Sequence, residues 1–203
     1  IKRWFTLAVL AVLAAGGAQV TLVAGPVPVP EMPGIKIKRV STTEEMLDAV
    51  LSELKASHHD ALILAAAPLD FAFSKRDSGK ISSDSELSLN LAPLPKISRE
   101  ARRADPKLFI IGFKAEYNLA EGELAKRALA RLTDSGMDMI AANDLSKEGR
   151  GFESETNEVY LIDRGGIFQR IALSHKREVA RQILDAYSGR ESVSLWSGRS
   201  SAD

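Results

Sequence analysis

The sequence predicts an α/β protein: a three-layer sandwich in which helices cover both faces of a mainly parallel sheet, with a small antiparallel hairpin extension. Three observations lead to this fold class. Short apolar runs typical of buried strands alternate along the chain with segments whose apolar residues recur at helical spacing. Such alternation is typical of parallel strands joined by helical crossovers. Further along, two strand-like runs flank Asp163-Arg164-Gly165-Gly166, a sequence typical of a hairpin turn.

The composition is that of a folded chain without a charge bias. With 45% hydrophobic and 27% charged residues, the 203 residues can bury the core of one ordinary domain. The 27 basic residues equal the 27 acidic ones, which argues against a nucleic-acid binder held by bulk electrostatics. Cysteine is absent, so the sequence offers no disulfide, thiolate nucleophile or cysteine zinc site. The three histidines share no metal-binding spacing, and a histidine-rich metal site is not expected: His58, His59 and His175.

The segment 1–18 fits two descriptions. Lys2 and Arg3 precede an apolar stretch at 4–15 and small residues, which is the outline of a secretory signal. The same stretch can form a core helix, and it is shorter than the ~20 residues that span a bilayer. A β-rich run at 19–24 follows it directly. Because helix, short turn and strand form one unit of a parallel sheet, the buried helix is the favoured interpretation.

The other elements follow from local patterns. Thr42 and Glu45 have capping-box spacing and predict the start of a helix, while Gly136 predicts the end of a longer one. Further helices are predicted at 96–104 and 174–187, and strands at 35–40, 60–66, 86–91, 106–112, 137–142, 158–162 and 167–172. The 60–66 run is continuously apolar, so we expect a strand buried on both faces. We expect a polar loop at 68–85, one domain at 1–188, and a flexible C-terminal tail at 189–203.

Ligands of parallel α/β sheets bind beyond the carboxyl ends of the strands, which directs attention to the segments 25–26, 66–80, 112–118 and 142–151. Standard motifs are missing there, since neither G-x-G-x-x-G nor G-x-S-x-G occurs. Gly79-Lys80 resembles the end of a Walker A motif, but Ile81 occupies the position of its Ser or Thr. The sequence therefore predicts no standard dinucleotide site, P-loop or serine hydrolase.

Individual residues in these segments each allow two interpretations. Asp70 follows a predicted strand, and Lys80, next to a glycine hinge, could close over a polyphosphate or could be only solvated. Phe113 could stack on a nucleobase and Lys114 could meet a phosphate, or they could be a core phenylalanine and a surface lysine. Asn143, at the end of a predicted strand, and Asn157, in a polar loop between elements, are better explained as residues that cap or fix turns.

Taken together, six segments resemble the phosphopantothenoylcysteine synthetase family, the ligase half of the bacterial and archaeal coenzyme A biosynthesis flavoprotein. They are GAQVTLVAGP at 17–26, AAAPLD at 65–70, GKI at 79–81, IGFKAE at 111–116, MDMIAAND at 137–144, and GF at 151–152 with NEV at 157–159. The resemblance covers most of the chain, from about residue 8 to residue 187. Each segment is weak alone, but six in the family's order are specific. The resemblance implies a Rossmann-like sandwich.

The resemblance also implies an activity. The family joins 4′-phosphopantothenate to L-cysteine with a nucleoside triphosphate, CTP in most bacteria, through an acyl-nucleotide intermediate, giving phosphopantothenoylcysteine, CMP and pyrophosphate. It implies Mg²⁺ on the phosphates, a homodimer in which the second subunit completes the pantothenate site through the segment near 86–91, and a fused or associated decarboxylase. A cytoplasmic location is expected, with no nucleic acid or membrane as a partner.

Residue by residue, the family's motifs fall on named positions of this sequence. Lys80 matches the lysine that stabilises the charge of the first step, Asp70 the nucleotide-contacting aspartate, and Ala66 the small residue beside the reacting group. The remaining matches are expected nucleotide-binding positions: Pro95, Lys96, Ile97, Ser98, Phe113 and Arg131.

Several positions depart from the family pattern. The family's first strand and its Gly- and Ser-rich loop, with a functional asparagine, have no counterpart, so we expect the native chain to start upstream of Ile1. The family's two lysines on the long helix match Arg131 and Ser135, so only one positive charge is kept. Lys96 replaces an acidic residue and Lys114 a small one. The sequence leaves the choice between CTP and ATP open.

Two other functions fit the same residues. One is a non-catalytic α/β ligand-binding domain that is secreted behind the segment 1–18. Mass spectrometry of the mature protein would distinguish it, because secretion requires the loss of that segment. The other is a nucleotide-binding regulatory domain that keeps the fold without turnover.

Overall fold

The computed structural model of the chain describes residues 2–74, 88–150, 154–166 and 168–197. Within these ranges the helices are α1 (Lys2–Ala15), α2 (Thr43–Ala56), α3 (Ile97–Ala104), α4 (Glu121–Ser135) and α5 (Lys176–Ser197). The strands are β1 (Val20–Ala24), β2 (Ile35–Arg39), β3 (Ala61–Leu64), β4 (Phe71–Phe73), β5 (Leu91–Pro93), β6 (Phe109–Glu116), β7 (Met139–Asp144), β8 (Thr156–Asp163) and β9 (Phe168–His175). The predicted α/β class is confirmed.

A five-stranded sheet with the order β3-β6-β7-β8-β9 forms the centre of the fold. The strands β3, β6 and β7 are parallel, whereas β8 and β9 pair antiparallel and form the predicted hairpin extension. The strands β1 and β2 pair in parallel, and β4 and β5 form an antiparallel ribbon, each as a separate two-stranded sheet. As a result, β3, β6 and β7 present their carboxyl ends at one edge of the central sheet.

Two hydrophobic clusters lie on opposite faces of the central sheet. The first contains apolar side chains of α2, α3 and α4, such as Val50 and Leu124. The second contains apolar side chains of α1 and α5, such as Phe5. The neighbouring residues Ile110 and Ile111 of β6 fall in different clusters, because successive side chains of a strand point to opposite faces. The predicted three layers are therefore present.

The N-terminal helix is a core element, as the strand that follows it predicted. Phe5 and Val9 of α1 are buried in the second cluster, and they pack there with residues of α5 such as Ile183. Within the described ranges, none of the helices combines the length and the apolar character needed to cross a bilayer.

The predicted helix ends are built as their residue types suggest. The Thr42 hydroxyl accepts a hydrogen bond from the Glu45 N–H at 3.1 Å, and α2 begins at the next residue. The Glu45 carboxylate accepts from the Ser41 N–H at 2.6 Å, so the reciprocal bond reaches the residue before the cap. Gly136 ends α4 with φ near 68°, a left-handed conformation that glycine adopts without a Cβ penalty.

Three predicted strands differ from the structure. The run at 60–66 forms only Ala61–Leu64, and it is half-buried rather than buried because β3 lies at the edge of the central sheet. The strand predicted to end at Gly112 continues to Glu116, where it pairs with Asp144 of β7. Residues 88–90 of the predicted strand 86–91 are not in a strand, and β5 begins at Leu91.

The last helix is longer than predicted. It was expected to end at Tyr187, but α5 continues to Ser197. The Ser- and Gly-rich composition after Tyr187 predicted a frayed segment, and α5 takes in residues 188–197 of it. The predicted hairpin turn at Asp163–Gly166 is confirmed, since the Gly166 N–H donates to the Asp163 carbonyl at 3.1 Å.

Candidate active site

The carboxyl ends of the parallel strands gather several of the predicted residues. The chain leaves β3 at Leu64 and passes through an exposed segment that contains Ala66 and ends near Asp70. The strand β6 ends at Glu116 and β7 at Asp144, and these two residues are register partners. This edge is where a parallel α/β sheet binds its ligands.

Asp70 and Lys96 form an ion pair at this edge. The Lys96 Nζ lies 2.5 Å from Asp70 Oδ1, and the Asp70 carbonyl accepts from the Leu94 N–H at 2.9 Å. The hydrogen bond from Lys96 is the main cause that holds the pKa of Asp70 below its usual value, against the opposing effect of burial. The charges of Arg131 and Lys114 lower the same pKa further. Three cations from three elements therefore act on one carboxylate.

A row of ion pairs continues across α4 and β6. The Lys114 Nζ lies 3.3 Å from Glu116 Oε1, and Arg127 Nη1 lies 3.7 Å from Glu116 Oε2. Arg131 is 3.9 Å from Asp134. We call Lys96, Lys114, Arg127 and Arg131 the cation cluster. Glu116 is mostly buried, but the cations of the cluster are partly exposed. An anionic ligand can therefore approach the cluster from solvent.

The turn at 95–98 exposes the side chains of its first two residues, that of Lys96 only in part, and buries those of its last two. Lys96 is the N-terminal cap residue of α3, and Pro95 before it is exposed in a shallow depression beside Thr43 and Leu47 of α2. The side chains of Ile97 and Ser98 are buried. Any contact that Ile97 makes with a ligand would therefore come from its main chain, at the positive end of the α3 dipole.

Phe113 lies on the other face of the sheet from Lys114. Its ring is 5.1 Å from the ring of Phe5 in an edge-on arrangement, and it packs against the second cluster. The core-phenylalanine interpretation thus describes its contacts within the part of the chain that the structure describes. Lys80, the lysine predicted to act in the first step, lies outside the described residues.

Asp144 organises the turn between β6 and α4. Its carboxylate accepts from the N–H groups of Asn118 at 2.9 Å, Leu119 at 3.3 Å and Ser146 at 2.9 Å. Burial raises the pKa of Asp144, but the hydrogen bonds outweigh it and the pKa lies below its usual value. Next to it, the Asn143 amide donates to Asn157 Oδ1 at 3.3 Å. The predicted turn-fixing role is wrong for both asparagines, because Asn143 lies within β7 and Asn157 within β8, where its Oδ1 also accepts from the next N–H. The turn after β7 is held by Asp144 instead.

Sequence reasoning missed a buried carboxylate on β8. Glu158 is 2% exposed, and it pairs with Arg150 at 3.1 Å and with Arg170 at 2.8 Å. The Tyr160 hydroxyl donates to Glu158 at 3.2 Å, and burial together with this carboxylate raises the pKa of Tyr160. The available signal was the alternation of β8, which places Glu158 on the same inward face as Tyr160 and Ile162.

Residues 5–189 match the family model of the DNA/pantothenate metabolism flavoprotein C-terminal domain. Among curated proteins, the coenzyme A biosynthesis bifunctional protein CoaBC of Thermococcus kodakarensis is 39% identical over 83% of this chain and 40% of its own length. The CoaBC of Methanocaldococcus jannaschii is 42% identical over 74% of this chain and 36% of its own. The chain thus spans about two fifths of the length of these relatives.

Solved structures share the fold. A crystal structure of the C-terminal domain of CoaBC superimposes with a TM-score of 0.75 at 23% sequence identity. The match covers 95% of this chain and 84% of that domain. The likeness therefore extends over the whole sandwich.

Proposed function

Because the chain belongs to the family of the DNA/pantothenate metabolism flavoprotein C-terminal domain, we propose that it is a ligase that joins 4′-phosphopantothenate to L-cysteine in coenzyme A biosynthesis. The nucleoside triphosphate is CTP or ATP, and the products are phosphopantothenoylcysteine, the nucleoside monophosphate and pyrophosphate. The names of the CoaBC relatives, which refer to coenzyme A biosynthesis, support this pathway. The same relatives are called bifunctional, which supports a decarboxylase fused to or associated with this chain.

One observation carries the proposal: Lys96, Lys114 and Arg131 act together on Asp70 at the carboxyl edge of the sheet. A triphosphate brings several negative charges, and its binding requires cations that are already held in place. The ion pairs of the cluster keep these side chains near the edge before a nucleotide arrives. A ligase that activates a carboxylate with a nucleotide needs this arrangement.

The reaction has two steps in this site. In the first, a carboxylate oxygen of phosphopantothenate attacks the α-phosphorus of the nucleotide, the bond to the β-phosphate breaks, and pyrophosphate leaves. The cation cluster neutralises the phosphates, and Lys80 stabilises the charge that develops on them. Asp70 holds the Lys96 ammonium at the edge and can accept a hydrogen bond from the nucleotide.

In the second step the cysteine amine attacks the acyl carbon, after its ammonium has lost a proton, and the nucleoside monophosphate leaves with the electrons of the acyl–phosphate bond. The small side chain of Ala66, exposed beyond β3, leaves room for the acyl group at the edge. The remaining binding positions, Pro95 to Ser98, offer the amino end of α3 to the nucleotide.

Magnesium fits this site as a companion of the nucleotide. Among the described residues, no group of three or more acidic or histidine side chains could hold a metal ion. Mg²⁺ needs few protein ligands when phosphates supply the others, and exposed Asp70 is the candidate carboxylate. When bound, the ion neutralises phosphate charge.

The proposal is tested by measuring pyrophosphate release from phosphopantothenate with CTP or with ATP, in the presence and absence of cysteine. We expect release with at least one nucleotide to depend on phosphopantothenate and to become multiple-turnover when cysteine is added. Lys80→Gln should lower the rate by about 100-fold or more, because a cation that stabilises developing charge is lost. Lys75→Gln, within the same predicted polar segment 68–85, is the matched control and should retain near-normal release.

Two results would contradict these statements separately. Absence of pyrophosphate release with every nucleotide would contradict the ligase function. Near-normal release by the Lys80 variant would leave the function standing and would remove Lys80 from the first step.

A further inference from the structure

We propose that Lys114 binds the triphosphate of the nucleotide, as a cation of the same site as Lys96 and Arg131. This inference rests on the proposed ligase function, in which the cation cluster as a whole neutralises the phosphates, and it assigns to Lys114 a direct contact with phosphate oxygens. It places the second strand of the parallel sheet, and not only the surrounding loops and helices, in contact with the phosphates.

The direction of Lys114 follows from the pleat of β6. Ile111 and Phe113 belong to the cluster packed by α1 and α5, whereas Ile110 belongs to the cluster packed by α2, α3 and α4. By alternation, Lys114 lies on the latter face, together with Glu116. Lys96 of α3 and Arg131 of α4 border this same face. One strand, one helix cap and one helix thus bring their cations to one place.

The three cations act on one carboxylate, that of Asp70. Lys114 and Arg131 both lower the pKa of Asp70, in addition to the direct hydrogen bond from Lys96. The side chains of Lys96, Lys114 and Arg131 are 33%, 37% and 39% exposed. Each is therefore partly desolvated, which strengthens its attraction to an anion, and each is still reachable from solvent.

Glu116 holds Lys114 in position without using up its charge. This carboxylate is only 15% exposed and is shared between Lys114 at 3.3 Å and Arg127 at 3.7 Å. Two cations thus compete for one carboxylate. The Lys114 ammonium has three donors, and a single bond to Glu116 leaves the others for phosphate oxygens.

The test compares the affinities of variants for Mg²⁺–CTP, Mg²⁺–ATP and inorganic tripolyphosphate by titration calorimetry. Lys114→Gln should lower the affinity for each nucleotide and for tripolyphosphate by about tenfold, because one partly desolvated charge contact is lost. Lys114→Arg should stay within about threefold of the parent, because it restores the charge. Lys126→Gln, on the exposed side of α4, is the matched control for net charge and should change neither affinity.

The outcomes separate this inference from the function on which it rests. If the parent protein binds triphosphate and Lys114→Gln binds it equally well, or if Lys126→Gln loses as much affinity, Lys114 is not a phosphate ligand and the ligase proposal is unaffected. If the parent protein binds no nucleoside triphosphate, the ligase proposal fails and the inference fails with it. Thermal unfolding of Lys114→Gln at the parent temperature excludes a folding defect, and Lys114→Arg tests the charge independently.

Discussion

Glu158 is a carboxylate enclosed by the protein on the inward face of β8. Its 2% exposure would be costly for an isolated charge, but two guanidinium groups and the Tyr160 hydroxyl compensate it. These partners lower the pKa of Glu158 although burial opposes them. The Glu158 carboxylate is therefore ionised although it is buried, and the two arginines beside it depend on its charge for their ion pairs.

We expect Glu158→Gln to destabilise the protein by about 3 kcal/mol, because it leaves the partly buried Arg150 guanidinium beside a neutral amide. The measurement is the free energy of unfolding from urea titration. Glu155→Gln, exposed and three residues earlier, is the control and should change stability by less than about 0.5 kcal/mol. A loss for Glu158→Gln as small as that of the control would mean that the arginines find other partners.

At the level of single residues, the sequence indicated which residues lie at the site better than it indicated the contacts that they make. Asp70 was singled out by its place after a strand, and it does lie within a group of cations. Its pairing with Lys96 could not be predicted, because the two residues are 26 positions apart in the sequence and the pairing of β4 with β5 brings them together. Phe113 allowed a ligand or a core interpretation, and its contact with Phe5 depends on packing between distant parts of the chain.

Two ion pairs join helix α2 to strand β2, because two lysines of the strand contact one glutamate of the helix. Glu53 of α2 lies 2.5 Å from Lys38 Nζ and 3.1 Å from Lys36 Nζ, on alternate positions of β2. The hydrogen bonds from Lys38 and then Lys36 lower the pKa of Glu53 from 4.5 to about 2. A carboxyl with a lowered pKa stabilises the folded state only while it is ionised.

This attachment predicts a pH dependence of stability. Because the folded pKa lies below the unfolded one, the contribution of Glu53 is complete above about pH 4.5 and is lost as the pH falls towards 2. Glu53→Gln should therefore be less stable than the parent near pH 6, and the difference should shrink between pH 4.5 and 2. Urea titrations across this range measure it. A difference that stays constant with pH would assign the effect to packing rather than to charge.

Elements with a local signal were predicted well, and elements defined by their partners were not. The cap at Thr42 and the end of α4 at Gly136 depend on nearby backbone groups, and both are where the sequence placed them. The extension of β6 to Glu116 depends on pairing with β7, which no local pattern reports. Gly112 inside that strand suggested an end of the strand, but it leaves room for the Met137 side chain, which would have to shift if a Cβ were added there.

At the scale of the whole molecule, the ribbon of β4 and β5 exposes several large apolar side chains within the described ranges. Phe71 and Phe73 of β4 are more than half exposed, and so are Leu69 before it and Leu91 of β5. A short two-stranded ribbon has little stability of its own and buries no core. Such a patch is typical of an interface, which supports the proposed homodimer.

The dimer prediction is tested by the double variant Phe71→Ser/Phe73→Ser. We expect the parent to sediment as a dimer at micromolar concentration and the variant as a monomer, because the apolar area that drives association is removed. Tyr117→Ser, a comparably exposed aromatic residue outside the ribbon, is the control and should remain dimeric. A parent protein that sediments as a monomer would contradict the proposal.

At the scale of the molecule, the layer order followed from alternation of strands and helices, but the grouping of strands did not. The sequence predicted one sheet, whereas β1 with β2 and β4 with β5 pair apart from the central five strands. Pairing across long sequence separations is decided by packing, and apolar periodicity reports only which side of a strand faces a core.

The pleat of β6 also bears on how this chain can vary. Phe113 and Lys114 are adjacent in sequence, yet Phe113 packs against the apolar ring of Phe5 and Lys114 pairs with the carboxylate of Glu116. Inserting or deleting a single residue earlier in the strand would exchange the two environments. The lysine ammonium would then be buried in the hydrophobic cluster, and the aromatic ring would lie among charged side chains. We therefore expect length changes among natural variants to be confined to the connecting loops, with β6 keeping a constant count.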